Sequence, residues 1–277
     1  MDKPFWLAIR EEKYAVPAGH DILPLTEELF SYLGSADPDL RDTIAYETFA
    51  NWLEQGLYTQ EQIRAYLLRL TLNLHNGLGE VNSDSLFGRT FSILCLAEIV
   101  NYNNQHPFLD RDEILNTLKK GLDYLQAEAD PRGYVAEKGW GHALAHTADL
   151  LFVLARSLHT HASEHIQILN AIAAELVHAT HWIYVHGEDD RLVRAVTAIF
   201  ERDLLDEAAL ADWLSKLTNP TDGWKNAWTD EERTRAFFNV RNFLRSLALR
   251  VVATETLPHK EKLQGILLEA HANLRPY

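Results

Sequence analysis

Apolar residues recur at three- and four-residue spacing along most of this chain, the pattern of helices with one buried face. Breaks fall at Pro17, Pro24, Pro38, Pro107, Pro131, Pro220 and Pro258. Asp37-Pro38 reads as an N-cap with proline at the first helical position, opening a helix through Tyr46, Phe49, Trp52 and Leu53 that Gly56 ends. Thr59 to Gln62 resembles a capping box and starts a second helix through Ile63, Tyr66, Leu67 and Leu70. A third is predicted from Ser83 or Ser85 to about Tyr102, and a fourth from the acidic turn Asp110 to Glu113 as far as about Ala129. The fifth spans about Glu137 to Leu158 and the sixth about Ser163 to His186. Shorter helices follow at about Asp190 to Asp203 and Asp206 to Leu217, then an NPTDG turn and a loop from Trp224 to Trp228. Two closing helices cover about Thr229 to Thr254 and His259 to Asn273.

No alternating β-branched run and no Asn-Gly hairpin separates these segments, so the fold class is all-α. Successive helix pairs are roughly 40 to 45 residues long, the size of a HEAT unit. The expected architecture is an α/α superhelix, a HEAT-like α-solenoid of about ten helices. No linker interrupts the series, so residues 1–277 read as a single domain, with residues 1–20 as a loosely packed N-terminal arm.

Composition narrows the function classes. Apolar residues make up 47% of the chain, enough for a sizeable core. The net charge of -14, from 40 Asp and Glu against 26 Lys and Arg, argues against nucleic acid and anionic lipid as partners, because both need a cationic surface. The single cysteine, Cys95, lies in the apolar run FSILCLAEIV, where it reads as a buried packing residue. No stretch matches a signal peptide or a membrane span, and a cytoplasmic location is expected. Nucleophile elbows, phosphate-binding glycine loops and dinucleotide fingerprints are absent.

The chemistry-bearing segment is the fifth predicted helix, with the run KGWGHALAHTADLL from Lys138 to Leu151. On a helical wheel, with His142 at zero, His146 falls near +40°, Asp149 near -20°, and Lys138 and Arg156 near -40°, at about 100° per residue. Trp140 and Leu144 lie on the opposite, apolar side. His142 and His146, four residues apart, can converge on one divalent metal such as zinc, with Asp149 as a further ligand or as the group that fixes an imidazole tautomer. His142 and Asp149 are separated by roughly 10 Å of rise, so a complete metal site needs a ligand from another element. No Glu follows the first His, which weakens a metalloprotease reading. Three readings stay open: histidines that hydrogen-bond structurally, a non-metal binding or catalytic site, and a metal site. The one cofactor among them is a divalent metal such as zinc, in the third reading.

Cations nearby suggest what such a site would take. Arg132, in the loop Glu128 to Tyr134, either pairs with Glu128 and Asp130 or presents a fork to an anion at the helix N-terminus. Late in the chain, Arg241, Asn242 and Arg245 share one helix face, free to form inter-helix ion pairs or to bind an anionic group. The expected partners are therefore an unidentified protein or a small anionic ligand. The first function expected is a helical scaffold or ligand-binding protein using a concave face around His142, His146 and Asp149, with Arg132, Lys138, Trp140, Arg241, Asn242 and Arg245 as binding residues. The alternative is a metal-dependent or histidine-based hydrolase acting on an anionic small molecule.

The run DPRGYVAEKGWGHALAHTAD, from Asp130 to Asp149, resembles the hallmark of a bacterial family known only as domain of unknown function twenty-seven eighty-five. Arg41-Asp42 with Ala45-Tyr46 and Phe49, Arg89 to Ser92, and Asn242 to Ser246 extend the resemblance over roughly residues 40 to 250. The resemblance implies a HEAT-like helical fold and a bacterial origin, and no activity. One departure is Gly141, where the family pattern leads one to expect alanine.

Overall fold

Helix starts are set by local chemistry that the chain spells out. The computed structural model describes residues 1–221, 223–225 and 227–274; Asp222 of the predicted NPTDG turn and Asn226 of the predicted tryptophan loop lie outside the described residues. Capping boxes at Thr59/Gln62 and Asp110/Glu113 satisfy the first backbone N–H groups of two helices. Asp2, Asp21, Asp206 and Asp230 cap four more with their carboxylates.

Twelve α-helices result among the described residues, rather than ten. They are α1 (Lys3–Glu11), α2 (Ile22–Tyr32), α3 (Glu47–Glu54), α4 (Gln60–Asn73), α5 (Ser85–Gln105), α6 (Arg111–Ala127) and α7 (Ala143–Ala155). Then come α8 (Ala162–Val177), α9 (Glu188–Arg202), α10 (Glu207–Thr218), α11 (Glu231–Ala253) and α12 (Lys260–Asn273). The two extra helices, α1 and α2, carry proline in their first turn, where its missing N–H costs nothing. Residues 1–20, read from sequence as an arm, include α1, whose Trp6 and Ile9 are 1% and 2% exposed.

Three predicted helices change shape. The segment after Pro38 is a π-helix over Asp39–Tyr46 before α3 begins. The predicted fifth helix starts only at Ala143, because Tyr134–Val135 (β1) and Gly139–Trp140 (β2) pair as a small antiparallel hairpin ahead of it. The predicted sixth helix stops at Val177. The chain beyond it is held extended by Asn239, which accepts from the Tyr184 N–H at 3.0 Å and donates to the Trp182 carbonyl at 3.0 Å.

The chain divides into two compact units, residues 1–150 and 151–277. In the first, α5 is buried on nearly every side, from Leu86 and Phe87 to Ile99 and Val100. Cys95, in its middle, is fully buried, and that burial pushes its thiol far above the usual range. The π-helix packs against α1, α2, α3 and α5. In the second unit, α11 packs against α8, α9 and α12, and α10 against α8 and α12.

Two buried arginines tie the first unit together. Arg41, on the π-helix, is 0% exposed. It donates to the carbonyls of Ser35 (2.6 Å), Lys138 (2.6 Å) and Trp140 (3.3 Å), with its guanidinium 4.0 Å from the Phe87 ring centroid. Arg89, on α5, is equally buried and holds Glu128 at 2.7 and 3.0 Å and the carbonyls of Asn76 and Gly77 at 2.9 and 2.8 Å. Replacing Arg41 with Met leaves three carbonyls without their donor, so Arg41→Met is expected to cost about 3 kcal/mol or more. Arg41→Lys should recover little of this, since one ammonium cannot span the three acceptors in one plane. A urea titration reporting an unchanged midpoint for either variant would contradict the assignment.

Candidate functional site

The hairpin and the start of α7 are built as one piece. The Gly141 N–H donates to the Gly133 carbonyl at 2.7 Å, and the His142 N–H to the Arg132 and Gly133 carbonyls at 3.1 and 3.3 Å. A Cβ at Gly141 would lie 2.9 Å from both the Arg132 carbonyl oxygen and a Leu86 methyl, so the alanine expected from the family pattern has no room here. Gly139 has φ +78°, and a Cβ there would stand 3.0 Å from Pro38. His142 itself has φ +54°, a left-handed conformation uncommon outside glycine. Its carbonyl accepts the first helical bond of α7, from the His146 N–H at 2.9 Å.

His142 is thus the residue before the helix, and the helical wheel does not apply to Lys138, Trp140 or His142. Lys138 stands in the hairpin turn and pairs with both carboxylate oxygens of Asp84, at 2.7 and 2.8 Å. Trp140 is 38% exposed instead of forming part of an apolar back. Its ring lies parallel to that of His142, with centroids 4.2 Å apart and planes 14° apart.

These rings continue in both directions. Tyr134 packs edge-on to Trp140 at 4.9 Å on the outside. Inward, His142 lies 5.5 Å from His146, and His146 meets Phe91 edge-on at 5.0 Å. Phe91 in turn lies 6.3 Å from Tyr46. Exposure falls from 52% at Tyr134 through 6% at His142 to 4% at His146, so the series runs from surface to interior. His146 Nδ1 sits 3.0 Å from the Thr90 carbonyl, which can only accept. That contact places the proton on Nδ1 and, in the neutral ring, the lone pair on Nε2.

A carboxyl group stands at the inner end. Glu98 lies seven residues after Phe91, on the same face of α5, and accepts from the Tyr46 hydroxyl at 2.7 Å. Burial lifts the Glu98 carboxyl above its usual range, the Tyr46 hydrogen bond opposes this, and the negative charge of Asp149 adds to it. The Tyr46 hydroxyl is pushed up by burial first, then by Glu98. Asp42, one turn earlier on the π-helix, is also raised by burial, with Arg41 opposing. The hallmark run does not include Tyr46 and Glu98. Their signals were a tyrosine in the Arg41 to Phe49 stretch and a lone carboxylate inside the apolar run around Cys95.

The remaining predicted residues are placed elsewhere. Arg132 is bound to Asp130, Nε to Oδ1 at 2.8 Å and a terminal nitrogen to Oδ2 at 2.6 Å, and it also donates to the Ser83 carbonyl. Asp130 is fully buried and accepts from the Asn82 N–H as well. Arg241, Asn242 and Arg245 belong to α11 in the second unit. Arg241 stacks over Phe238 at 4.2 Å, and Arg245 Nε donates to His271 Nε2 at 3.2 Å. Among the described residues, no group of three His, Cys, Asp or Glu side chains is placed to hold a metal ion. No helix of the described residues is long and apolar enough to cross a membrane.

Neither the curated proteins nor the solved structures include a match to this chain. A family described as protein of unknown function (DUF2785) matches residues 74–249, from the end of α4 to the last turns of α11, and so takes in both the hairpin and the histidine helix. That match covers more than half of the 277 residues, and the chain belongs to this family of unknown function.

Proposed function

We propose that the protein is a HEAT-like helical ligand-binding protein whose site is the aromatic surface at the start of α7, where Tyr134 and Trp140 stand over His142 and the ring series leads inward to the Tyr46–Glu98 pair. The single observation that carries this reading is the ring series from exposed Tyr134 and Trp140 to buried His146, which ends beside a half-buried carboxyl group. Exposed aromatic faces stack on flat apolar ligand surfaces. A carboxyl group at the inner end accepts hydrogen bonds from ligand hydroxyl or amino groups. The HEAT-like part is supported by contacts between helices two apart, α8 with α10, α9 with α11 and α10 with α12, as stacked helix pairs make them.

The ligand class follows from the charges. Arg132 and Lys138, which the sequence offered as anion binders, are held by Asp130 and Asp84. Glu98 and Asp149 are acidic. The site therefore favours a neutral or cationic ligand rich in hydrogen-bond donors, such as a sugar or nucleoside, over an anionic one. A second reading, hydrolysis of such a ligand, draws on Glu98: a carboxyl whose proton is held more tightly by burial has the character of a general acid. Metal chemistry has no comparable support, since a third ligand is lacking among the described residues.

Matched pairs test the assignment. Glucose against glucose 6-phosphate, and adenosine against its monophosphate, are compared by thermal shift. The neutral member is expected to raise the unfolding temperature more, because a ligand that binds only the native state stabilises it. Trp140→Ala should remove the shift while leaving the unliganded protein folded. A larger shift with the phosphorylated member, or an unaffected Trp140→Ala variant, counts against the site.

Glu98 supplies a second prediction. Its folded-state pKa lies above the unfolded value, so the folded chain binds that proton more tightly. The stability tied to this proton is present below the ordinary glutamate range of about 4.3 and is lost as pH rises through the folded pKa. Glu98→Gln keeps an acceptor for Tyr46 and removes the charge. Its denaturation midpoint should exceed that of the parent near neutral pH, and the gap should close at about pH 4. An equal gap at both pH values would show that Glu98 is not held protonated by the fold.

A further inference from the structure

The second unit contains a cavity unconnected with the site above. It has a volume of about 200 Å³. Ile199 and Phe200 of α9, Leu210 of α10, and Leu263 and Ile266 of α12 line it, with Leu205 from the turn between α9 and α10. Ile199 and Phe200 are 1% and 5% exposed, so the floor is closed core. Apolar cavities of this kind stay dry and accept an apolar group; one of about 150 Å³ takes benzene.

The mouth has the opposite character. Asp203, Asp206 and Glu207 stand there with His259 and Lys262. Lys262 pairs with Glu207 at 2.7 Å, and His259 Nε2 lies 3.3 Å from Asp203. Asp206 caps α10, accepting from the Ala209 N–H at 2.8 Å. Three carboxylates against one ammonium leave a net charge of -2 with His259 neutral, and -1 with it protonated. Asp203 and His259 both hold left-handed backbone, with φ 49° and 52°, where α9 ends and α12 begins. The mouth is thus framed by helix ends and not by a mobile strand of chain.

We propose that this cavity binds a small hydrophobic amine, its ring or short chain on the Phe200 floor and its ammonium among Asp203, Asp206 and Glu207. The apolar floor selects for the body of the ligand and the charge excess for the sign of its head. The probe is benzylamine, with benzyl alcohol and benzoate as neutral and anionic counterparts of similar size. Calorimetry and thermal shift on the full chain should rank them in that order, with benzylamine bound about tenfold more tightly than benzoate. Raising the salt should compress the ranking, because the mouth charges are exposed and screened.

Two kinds of variant locate the site. Ile266→Trp fills the cavity and should abolish binding; should that variant fail to fold, Leu210→Phe narrows the entrance and should weaken it severalfold. Asp203→Asn with Glu207→Gln should reduce benzylamine affinity severalfold while leaving benzyl alcohol unchanged, and asparagine tolerates the left-handed backbone at position 203. The proposal is overturned if benzoate binds as tightly as benzylamine, if no probe binds at millimolar concentration, or if a folded cavity-filling variant binds like the parent.

Discussion

The first unit depends on burying a guanidinium. Arg41 lies wholly inside without a carboxylate in hydrogen-bond contact among the described residues, and its charge is met by three main-chain carbonyls, an aromatic face and the field of Asp42, Asp37 and Asp84. Such a group is stable inside when most of its donors find acceptors; here the two terminal nitrogens do and Nε does not. The carbonyls of Lys138 and Trp140 point at it because the hairpin folds back over the π-helix. Hairpin, π-helix and α5 are therefore one construction, and the position of Trp140 over His142 follows from it. Arg89 works on the same plan one turn of α5 away from Ser85, joining the Asn76–Gly77 turn to Glu128.

This use of cations inside adds to an acidic character of the outside that the net charge of -14 already sets. Arg41, Arg89 and Arg132 are all committed to internal acceptors, so the positive charge that the sequence displays near the histidines is not presented to a ligand. A sequence shows which charges are near one another along the chain. It does not show which have already been neutralised by burial against a carbonyl or carboxylate.

The legible part of the fold was the part governed by local rules. Capping boxes at Thr59 and Asp110, the apolar faces of α4, α6 and α10, and the all-helical class all follow from short-range spacing. What escaped was decided by contacts across the sequence. His142 and His146 have helical spacing, yet positive φ at Gly139 and His142 and the bonds to the Arg132 and Gly133 carbonyls keep the helix from starting before Ala143. Pro24 looked like a break and stands in the first turn of α2. The end of α8 is set by Asn239, more than fifty residues away, whose side-chain amide replaces the helical partners of the chain after Val177. Glu98 was visible as an odd carboxylate in an apolar helix, but its neighbours Tyr46 and Asp149 come from other elements.

Costs accumulate at one place in the first unit. His142 adopts a backbone that a non-glycine residue avoids, Glu98 is held where its charge is disfavoured, and Trp140 leaves a large aromatic surface in solvent. Each lowers stability by itself, and an asparagine or glycine at position 142 or a glutamine at position 98 would relieve part of it. Residues that break local rules without a structural return mark function more often than chance, because selection for stability alone would remove them. Here the three costs meet along one ring series rather than being scattered over the unit. Their shared location, more than the presence of two histidines, is what supports the ligand site proposed at the start of α7.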